Sequence, residues 1–376
     1  MCVYPACREN PEVCMNQAPV SPEEFSAVAE AAARRTEAVD CAFLDELLQG
    51  TGLHARDLCR KIFENCTVTI NFHPDRIAGN GRLILDNLLA DGEYKNQYET
   101  GTTNGGRTAC PGGDRDLWEK QLFNEFYHTQ INLPAARPRY GALNIMNYCD
   151  GASPRFGSCF FTLKPAVLDR VTFAAGDSCA NPERLGTRGC FCGILKALFH
   201  EINRTGRLLN QPGFTIKEAA AFLMNLSPHL TTTPGGALDE YIEAHIHGRI
   251  ILETDVAALY LDDSFRATEL ECKARELCRR FRIELHFIPE RHVKIEEIDD
   301  LFRGPAMRPL AEKIDSAFGR NSGVLNARLI GLASCDSVQN PAAWSNSGSE
   351  PELFQYFKQL WHTVVHHARQ RSLLRS

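Results

Sequence analysis

The sequence has no apolar run approaching the roughly 18 residues of a membrane-spanning helix. Nor does it open with the basic and then apolar stretches of a general secretory signal peptide. Positive charge is not in excess either, because 41 Lys and Arg against 47 Asp and Glu give a formal net charge of −6. These absences argue against a membrane partner and against nucleic acid as the main partner.

Fingerprints of zinc ribbons and nucleotide loops are also missing. The 15 cysteines are scattered, and the closest pair, Cys190 and Cys192, does not have the CxxC spacing of a zinc ribbon. Neither the P-loop spacing nor GxGxxG occurs. We therefore expect reduced, mostly buried thiols and no resident metal.

What is present is the composition of a folded globular chain of 376 residues, 44% hydrophobic and 23% charged. Residues 1–20 lack any period and are expected to form a flexible tail or a segment read by a bacterial export machine. A helical N-terminal region is predicted over 21–65, a strand-rich core over 66–265 and a mostly helical region over 266–376. This organisation predicts an α+β fold, a mixed β core with helical flanks at both ends.

Strands are expected where β-branched and aromatic residues cluster, at 67–72, 140–146, 159–163, 170–174, 241–252 and 282–287. Helices are expected where apolar residues recur with a helical period, at 21–36, 80–90, 115–127, 192–204, 216–226 and 351–372.

A polar turn follows the first predicted strand. The strand runs into His73, and Pro74 then forces the chain to turn before Arg76. Side chains at such a strand end project from the edge of a sheet, where ligands bind. A histidine satisfied by backbone groups and a surface arginine are the alternative interpretation.

Residues 98–106 combine an aromatic ring, hydroxyls, an amide and glycines, among them Tyr98, Thr100, Gly101 and Asn104. Glycine lets a backbone approach a ligand closely. This pattern is typical of a ligand-binding loop, although a hairpin with a turn at Asn104 fits equally well.

A second polar stretch, Pro154 to Ser158, adjoins a predicted strand. The Arg155 guanidinium could donate in a fork to a phosphate, and Phe156 could stack on a ring. Ordinary residues at a sheet edge remain the alternative.

Acidic and imidazole groups alternate along the strand predicted at 241–252. Alternation places Glu243, His245 and His247 on one face and Glu240 on the other. Three interpretations stay open: a metal site, a single catalytic carboxylate at the mouth of a cleft, or a solvated face.

Seven ordered blocks between residues 69 and 265 resemble a bacterial family of unknown-function domains that includes the CteC-type effectors, which attach ADP-ribose to a threonine of ubiquitin. The blocks are HPDR (73–76), YETGTTNGG (98–106), PGGDRDLWE (111–119), RPRYGALN (137–144), DGASPRFGSCFF (150–161), TFAAGDS (172–178) and DEYIEAHIHG (239–248). The resemblance implies an ADP-ribosyltransferase-like core, NAD+ as the substrate and ubiquitin as the protein partner. It also implies delivery into the host cytosol by a bacterial export system such as type III secretion.

A more distant similarity to transferases of the diphtheria-toxin and poly-ADP-ribose type implies individual roles. Glu243 would be the catalytic carboxylate, with Glu240 as its rival. The NAD+-binding residues would be His73 on the adenosine ribose, Arg76 and Arg155 on the pyrophosphate, Tyr98 or Phe156 on nicotinamide, and Thr100, Gly101 and Asn104 in a loop that closes over the site. Arg76 and Ser158 could instead match the arginine and serine of the cholera-toxin class.

Two other functions compete with this one. A metal-dependent enzyme would use Glu243, His245 and His247 as ligands. A non-enzymatic module would bind a host protein and leave NAD+ untouched.

Overall fold

The computed structural model of the protein describes residues 21–101, 109–131, 133–180, 182 and 184–373, with side chains as far as residue 367. The proposed tail at 1–20 and the proposed ligand-binding residue Asn104 lie outside these ranges. The helices are α1 (Glu24–Leu47), α2 (Ala55–Asn65), α3 (Ile84–Asp91), α4 (Gln97–Thr100), α5 (Asp114–Leu122), α6 (Cys192–Thr205), α7 (Ile216–Met224), α8 (Leu252–Asp255), α9 (Glu269–Phe281), α10 (Met307–Ile314), α11 (Ala327–Gln339), α12 (Pro341–Trp344) and α13 (Glu350–Leu373).

Seven of the strands form one mixed sheet in the order β11-β10-β4-β1-β3-β8-β5, in which only β10 and β11 are parallel. The other strands form three two-stranded pairs. The strands are β1 (Val68–Phe72), β2 (Glu93–Tyr94), β3 (Arg139–Leu143), β4 (Cys159–Leu163), β5 (Val171–Ala175), β6 (Arg207–Leu208), β7 (Gln211–Pro212), β8 (Ile242–Ile246), β9 (Ile250–Ile251), β10 (Val256–Asp262), β11 (Glu284–Ile288), β12 (His292–Lys294) and β13 (Val324–Asn326).

The sheet is central because its strands are buried on both faces. All five residues of β1, of β4 and of β8 are buried. In β8, Ile242, Ala244 and Ile246 belong to the main hydrophobic core, and successive side chains alternate between the faces of a sheet. The polar residues between them therefore lie on the opposite face, buried as well.

Helices from both ends of the chain complete the fold. Near the N-terminus, α1 packs on α6 and α2 packs on α7. Near the C-terminus, α13 packs on α11 and on β12. The mixed α+β class predicted from the sequence is thus confirmed, and β11 of the C-terminal region is part of the main sheet.

The long strand predicted at 241–252 is wrong in its second half. β8 ends at Ile246, and Gly248 adopts φ +79°, a left-handed conformation that glycine reaches without steric cost. After the short strand β9 and one helical turn, the chain enters β10, which the sequence did not predict.

One pair of cysteines departs from the expected reduced state. Cys41 of α1 and Cys192 of α6 form a disulfide that joins residues 151 positions apart. The prediction of reduced thiols is wrong for this pair, because packing of α1 on α6 brings the two side chains together. Among the helices that the structure describes, none is both long enough and apolar enough to cross a bilayer.

Candidate functional site

A cavity of about 340 Å³ lies beside β3 and β8 and has the Glu243 side chain in its wall. We call it the Glu243 cavity. Its lining combines three carboxylates, of which only Glu243 is buried, with three cationic groups and five aromatic rings: Glu243, Asp114 and Asp177; Arg115, Arg155 and Lys358; Tyr94, Trp118, Tyr140, Phe156 and Tyr241.

The strand register explains why there is room beside Glu243. Its neighbours across the sheet are Ala142 of β3 and Ala174 of β5. Both have small side chains, and they flank a long one. The Glu243 side chain is only 7% exposed and lines this cavity.

Two donors from one residue hold the Glu243 carboxylate. The Ser178 backbone N–H donates to Oε2 at 2.7 Å, and the Ser178 hydroxyl donates to Oε1 at 2.9 Å. His245 Nε2 lies 3.4 Å from Oε1 on the other side. Hydrogen bonds of this kind fix the rotamer of a carboxylate.

Arg115 of α5 is the least solvated of the cations in this wall. Its guanidinium lies 4.7 Å from the Trp118 ring centre and 4.5 Å from that of Tyr140. Burial acts to lower the pKa of Arg115, but Tyr140 and the Glu119 carboxylate outweigh it and the pKa is raised. The Arg115 Nη1 atom lies 3.9 Å from Glu119 Oε1 and has no hydrogen-bond partner within the described part of the chain.

The other two cations come from distant segments. Arg155 pairs with Asp239 and lies 5.0 Å from the Phe156 ring centre. Lys358 is supplied by α13. Burial, together with the charges of Arg155 and Arg303, lowers the pKa of Lys358.

A smaller cavity of about 120 Å³ adjoins the first and shares Tyr94, Gln97 and Tyr140 with it. Its wall includes His73, Arg76 and Thr100, three of the residues predicted to bind NAD+.

His73 is uncharged in this smaller cavity. The ring lies 5.3 Å from that of Trp361 in an edge-on contact. Burial lowers its pKa well below the usual value, and the charges of Arg76 and His362 act in the same direction.

The structure therefore brings together Glu243, Arg155 and Phe156 in one cavity and His73, Arg76 and Thr100 in the next. Gly101 ends α4 with φ +64°, directly after Thr100. Three other predicted residues do not line either cavity: Glu240 is exposed, Ser158 is buried against Cys159, and Tyr98 lies behind the wall.

Tyr98 has a different partner from the one predicted. Its hydroxyl donates to Glu119 Oε2 at 3.0 Å, and the fully buried Glu119 also accepts from Tyr140 at 2.8 Å and from Arg137 Nη1 at 3.1 Å. Tyr98 thus supports Tyr140 through a shared carboxylate, and its ring is not placed to stack on a ligand in the Glu243 cavity.

His245 and His247 share the face of Glu243, as alternation predicts, but they are not arranged as metal ligands. Four strand residues span about 13 Å, so Glu243 and His247 are too far apart for one ion. Within the described part of the chain, the group with metal-ligand geometry is Glu37, Cys41 and Cys192, in which the two cysteines form the disulfide.

Sequence reasoning did not assign roles to Arg115, Trp118, Ser178 and Lys358. The first three lie inside the blocks PGGDRDLWE and TFAAGDS, so the blocks themselves were a signal. Lys358 lies about 115 residues after Glu243 on a helix with an apolar stripe, and its local sequence gives no sign of a cavity.

Two comparisons place the chain among known proteins. The "Gene 2 protein" of Mycobacterium phage D29 is 36% identical over 98 residues, which cover 25% of this chain and 32% of the phage protein. The chain thus matches about a third of the length of that relative. A family described as "Protein of unknown function (DUF3626)" matches residues 67–367, from the start of β1 into α13. The seven blocks predicted a family of unknown-function domains, and this match confirms that prediction. The chain belongs to the DUF3626 family.

Proposed function

We propose that the protein is a mono-ADP-ribosyltransferase that cleaves NAD+ and transfers ADP-ribose to a threonine hydroxyl of ubiquitin. The observation that carries the proposal is the Glu243 carboxylate, buried, held by Ser178 and facing a cavity lined by cations and aromatic rings. The ADP-ribosyltransferase-like character of the core and delivery into a host cytosol belong to the same proposal and rest on the resemblance of the seven blocks.

The reaction needs a fixed negative charge close to a sugar. The bond between the ribose C1′ and the nicotinamide nitrogen breaks, and its electron pair leaves with nicotinamide. The ribose becomes oxocarbenium-like, as in glycoside hydrolysis. A carboxylate already held in place interacts more strongly with this cation than with the ground state, which lowers the barrier.

The cavity lining suits the other parts of NAD+. Arg115, Arg155 and Lys358 supply donors for the two phosphates. Tyr140, Trp118 and Tyr241 supply faces for a planar ring. The adjoining cavity, with His73 and Arg76, is where we place the adenosine half.

The acceptor step completes the transfer. A threonine oxygen forms the new bond to C1′, and its proton leaves to a base or to water. A threonine hydroxyl hardly ionises at neutral pH, so alignment with a reactive cation does most of the work. His245 and His247 are fully buried and do not reach such an acceptor directly.

Incubation with NAD+ and ubiquitin, followed by intact-mass measurement of ubiquitin and assay of released nicotinamide, tests the proposal. We expect ubiquitin to gain one ADP-ribose unit, with chelators having no effect. Nicotinamide release without modified ubiquitin would overturn the choice of partner. No NAD+ consumption at all would overturn the enzymatic proposal, and inhibition by chelators would favour the metal-dependent alternative.

A further inference from the structure

A series of buried, hydrogen-bonded polar groups runs along one face of the sheet from Tyr127 to the Glu243 carboxylate. Tyr127 Oη lies 2.6 Å from His247 Nδ1, and His247 Nε2 lies 3.0 Å from Thr172 Oγ1. Thr172 Oγ1 is also 3.0 Å from His245 Nδ1, and His245 Nε2 is 3.4 Å from Glu243 Oε1. The intermediate groups are at most 1% exposed.

The strand register builds this series. Thr172 of β5 is the direct neighbour of His245 across the sheet, and His247 is the next residue on the same face of the strand. Phe123 packs edge-on against both imidazoles, at 5.4 Å and 5.7 Å between ring centres. The groups are therefore shielded from water and must satisfy one another.

Two arrangements of protons satisfy these contacts, with every hydrogen bond running toward Glu243 or every one running away from it, and the carboxylate oxygen beside His245 Nε2 favours the first. Burial raises the pKa of Tyr127 well above its usual value, so its hydroxyl keeps the proton that it can donate to His247 Nδ1. Burial also lowers the pKa of His247 far below its usual value, which keeps that ring neutral.

The neutral His247 ring then donates from Nε2 to Thr172, and Thr172 donates onward to His245 Nδ1. Because His245 Nδ1 accepts from Thr172 in this arrangement, the ring N–H of His245 lies on Nε2. That atom has no hydrogen-bond partner among the described residues and faces Glu243.

We propose that Tyr127, His247 and Thr172 are positioning residues that fix His245 in the tautomer donating toward Glu243, so that the carboxylate stays ionised and aimed into the cavity. The catalytic consequence rests on the proposed function, whereas the tautomer assignment does not. The 3.4 Å contact is long for a hydrogen bond, and such contacts commonly shorten as the reaction develops charge.

Other charged and titratable groups face the two ends of the series. Around Glu243 these are Arg115, Tyr140, Asp177, Cys179 and Tyr241, with Arg155 and Lys358 across the cavity. Around Tyr127 and His247 they are Glu23, Glu119, Arg137, Arg139 and Arg170. A substitution at Thr172 leaves all of these groups in place, so its effect reports on the series of hydrogen bonds alone.

The test compares Thr172→Val, which loses the hydroxyl but keeps the shape, with Thr172→Ser, which keeps the hydroxyl. In the full chain labelled with ¹⁵N-histidine, we expect NMR to show His245 and His247 protonated at Nε2 in the wild type and in Thr172→Ser. In Thr172→Val, His245 should lose this single tautomer. Nicotinamide release should then fall most at the acid end of its pH profile, because a donor to the carboxylate is lost, and activity should recover at higher pH.

A purely structural role would lower the rate equally at every pH and leave the tautomers unchanged, and that result would overturn the proposal. Wild-type histidines protonated at Nδ1 would also overturn it. If Thr172→Val does not fold, Tyr127→Phe serves in its place and should release the tautomer of His247. A wild type with the expected tautomers but no NAD+ consumption refutes the proposed function and leaves the hydrogen-bond chain intact.

Discussion

Replacing Glu243 by glutamine is expected to abolish most of the transferase activity, because it removes charge at nearly constant size. A ribose cation about 4 Å from the carboxylate, at an effective dielectric constant of about 20, interacts with it by about 4 kcal/mol. That energy corresponds to roughly a thousandfold in rate. The figure agrees with the loss of about 10²–10³ that follows removal of one transition-state partner.

The fold should tolerate this change. A glutamine oxygen can still accept from the Ser178 N–H, and the Ser178 hydroxyl can turn to accept from the new amide. Thermal unfolding by circular dichroism should therefore stay close to that of the wild type.

Glu240→Gln is the matched control. Glu240 precedes β8, is exposed and does not line the cavity, so nicotinamide release should be unchanged in that variant. A Glu243→Gln enzyme within tenfold of the wild type would refute the argument. So would a Glu240→Gln enzyme that loses as much activity.

Three other predictions concern the surroundings of the site. Arg115→Gln should raise the Kd of NAD+ about tenfold or more, since a charged donor is lost; an unchanged Kd in calorimetry would contradict this. Tyr98→Phe should lower the free energy of unfolding in denaturant by about 1–3 kcal/mol, because it loses a bond to a buried carboxylate; a variant as stable as the wild type would contradict this. Cys41→Ser or Cys192→Ser should lower the free energy of unfolding by about 5 kcal/mol, given the 151-residue separation, as measured by denaturant unfolding with and without reductant. The exposed Cys272→Ser should behave as the wild type.

Local patterns predict the strands well where nothing interrupts them. The sequence predicts 159–163 as a strand with the bounds of β4, because a β-prone run lies between Gly157 and Pro165. It fails at 241–252, where the apolar run continues past Gly248 but the backbone turns. The pattern of apolar residues does not show where the backbone adopts a positive φ. A glycine inside an apolar run is therefore the indication that one predicted strand should be divided into two.

The candidate site divides in the same way. The face shared by Glu243 and His245 follows from alternation, which is a property of the strand itself. The contact between Glu243 and Ser178 depends on which strands are neighbours, and the sequence does not specify the order β3-β8-β5. The hydroxyl of Tyr98 donates to the buried Glu119 carboxylate, a contact that the local motif alone does not predict.

The C-terminal helix is as much a part of this site as the strands are. Trp361 Nε1 donates to the Pro154 carbonyl at 2.8 Å, next to Arg155, and its ring contacts His73. Lys358, one turn earlier, enters the Glu243 cavity. Helix α13 therefore holds the turn that carries Arg155 and packs against His73, both predicted to bind NAD+. It also contributes Lys358 to the cavity. The family match extends to residue 367, within this helix, and a chain cut at residue 265 would lose Lys358 from the cavity lining together with the contacts of Trp361 to Pro154 and His73.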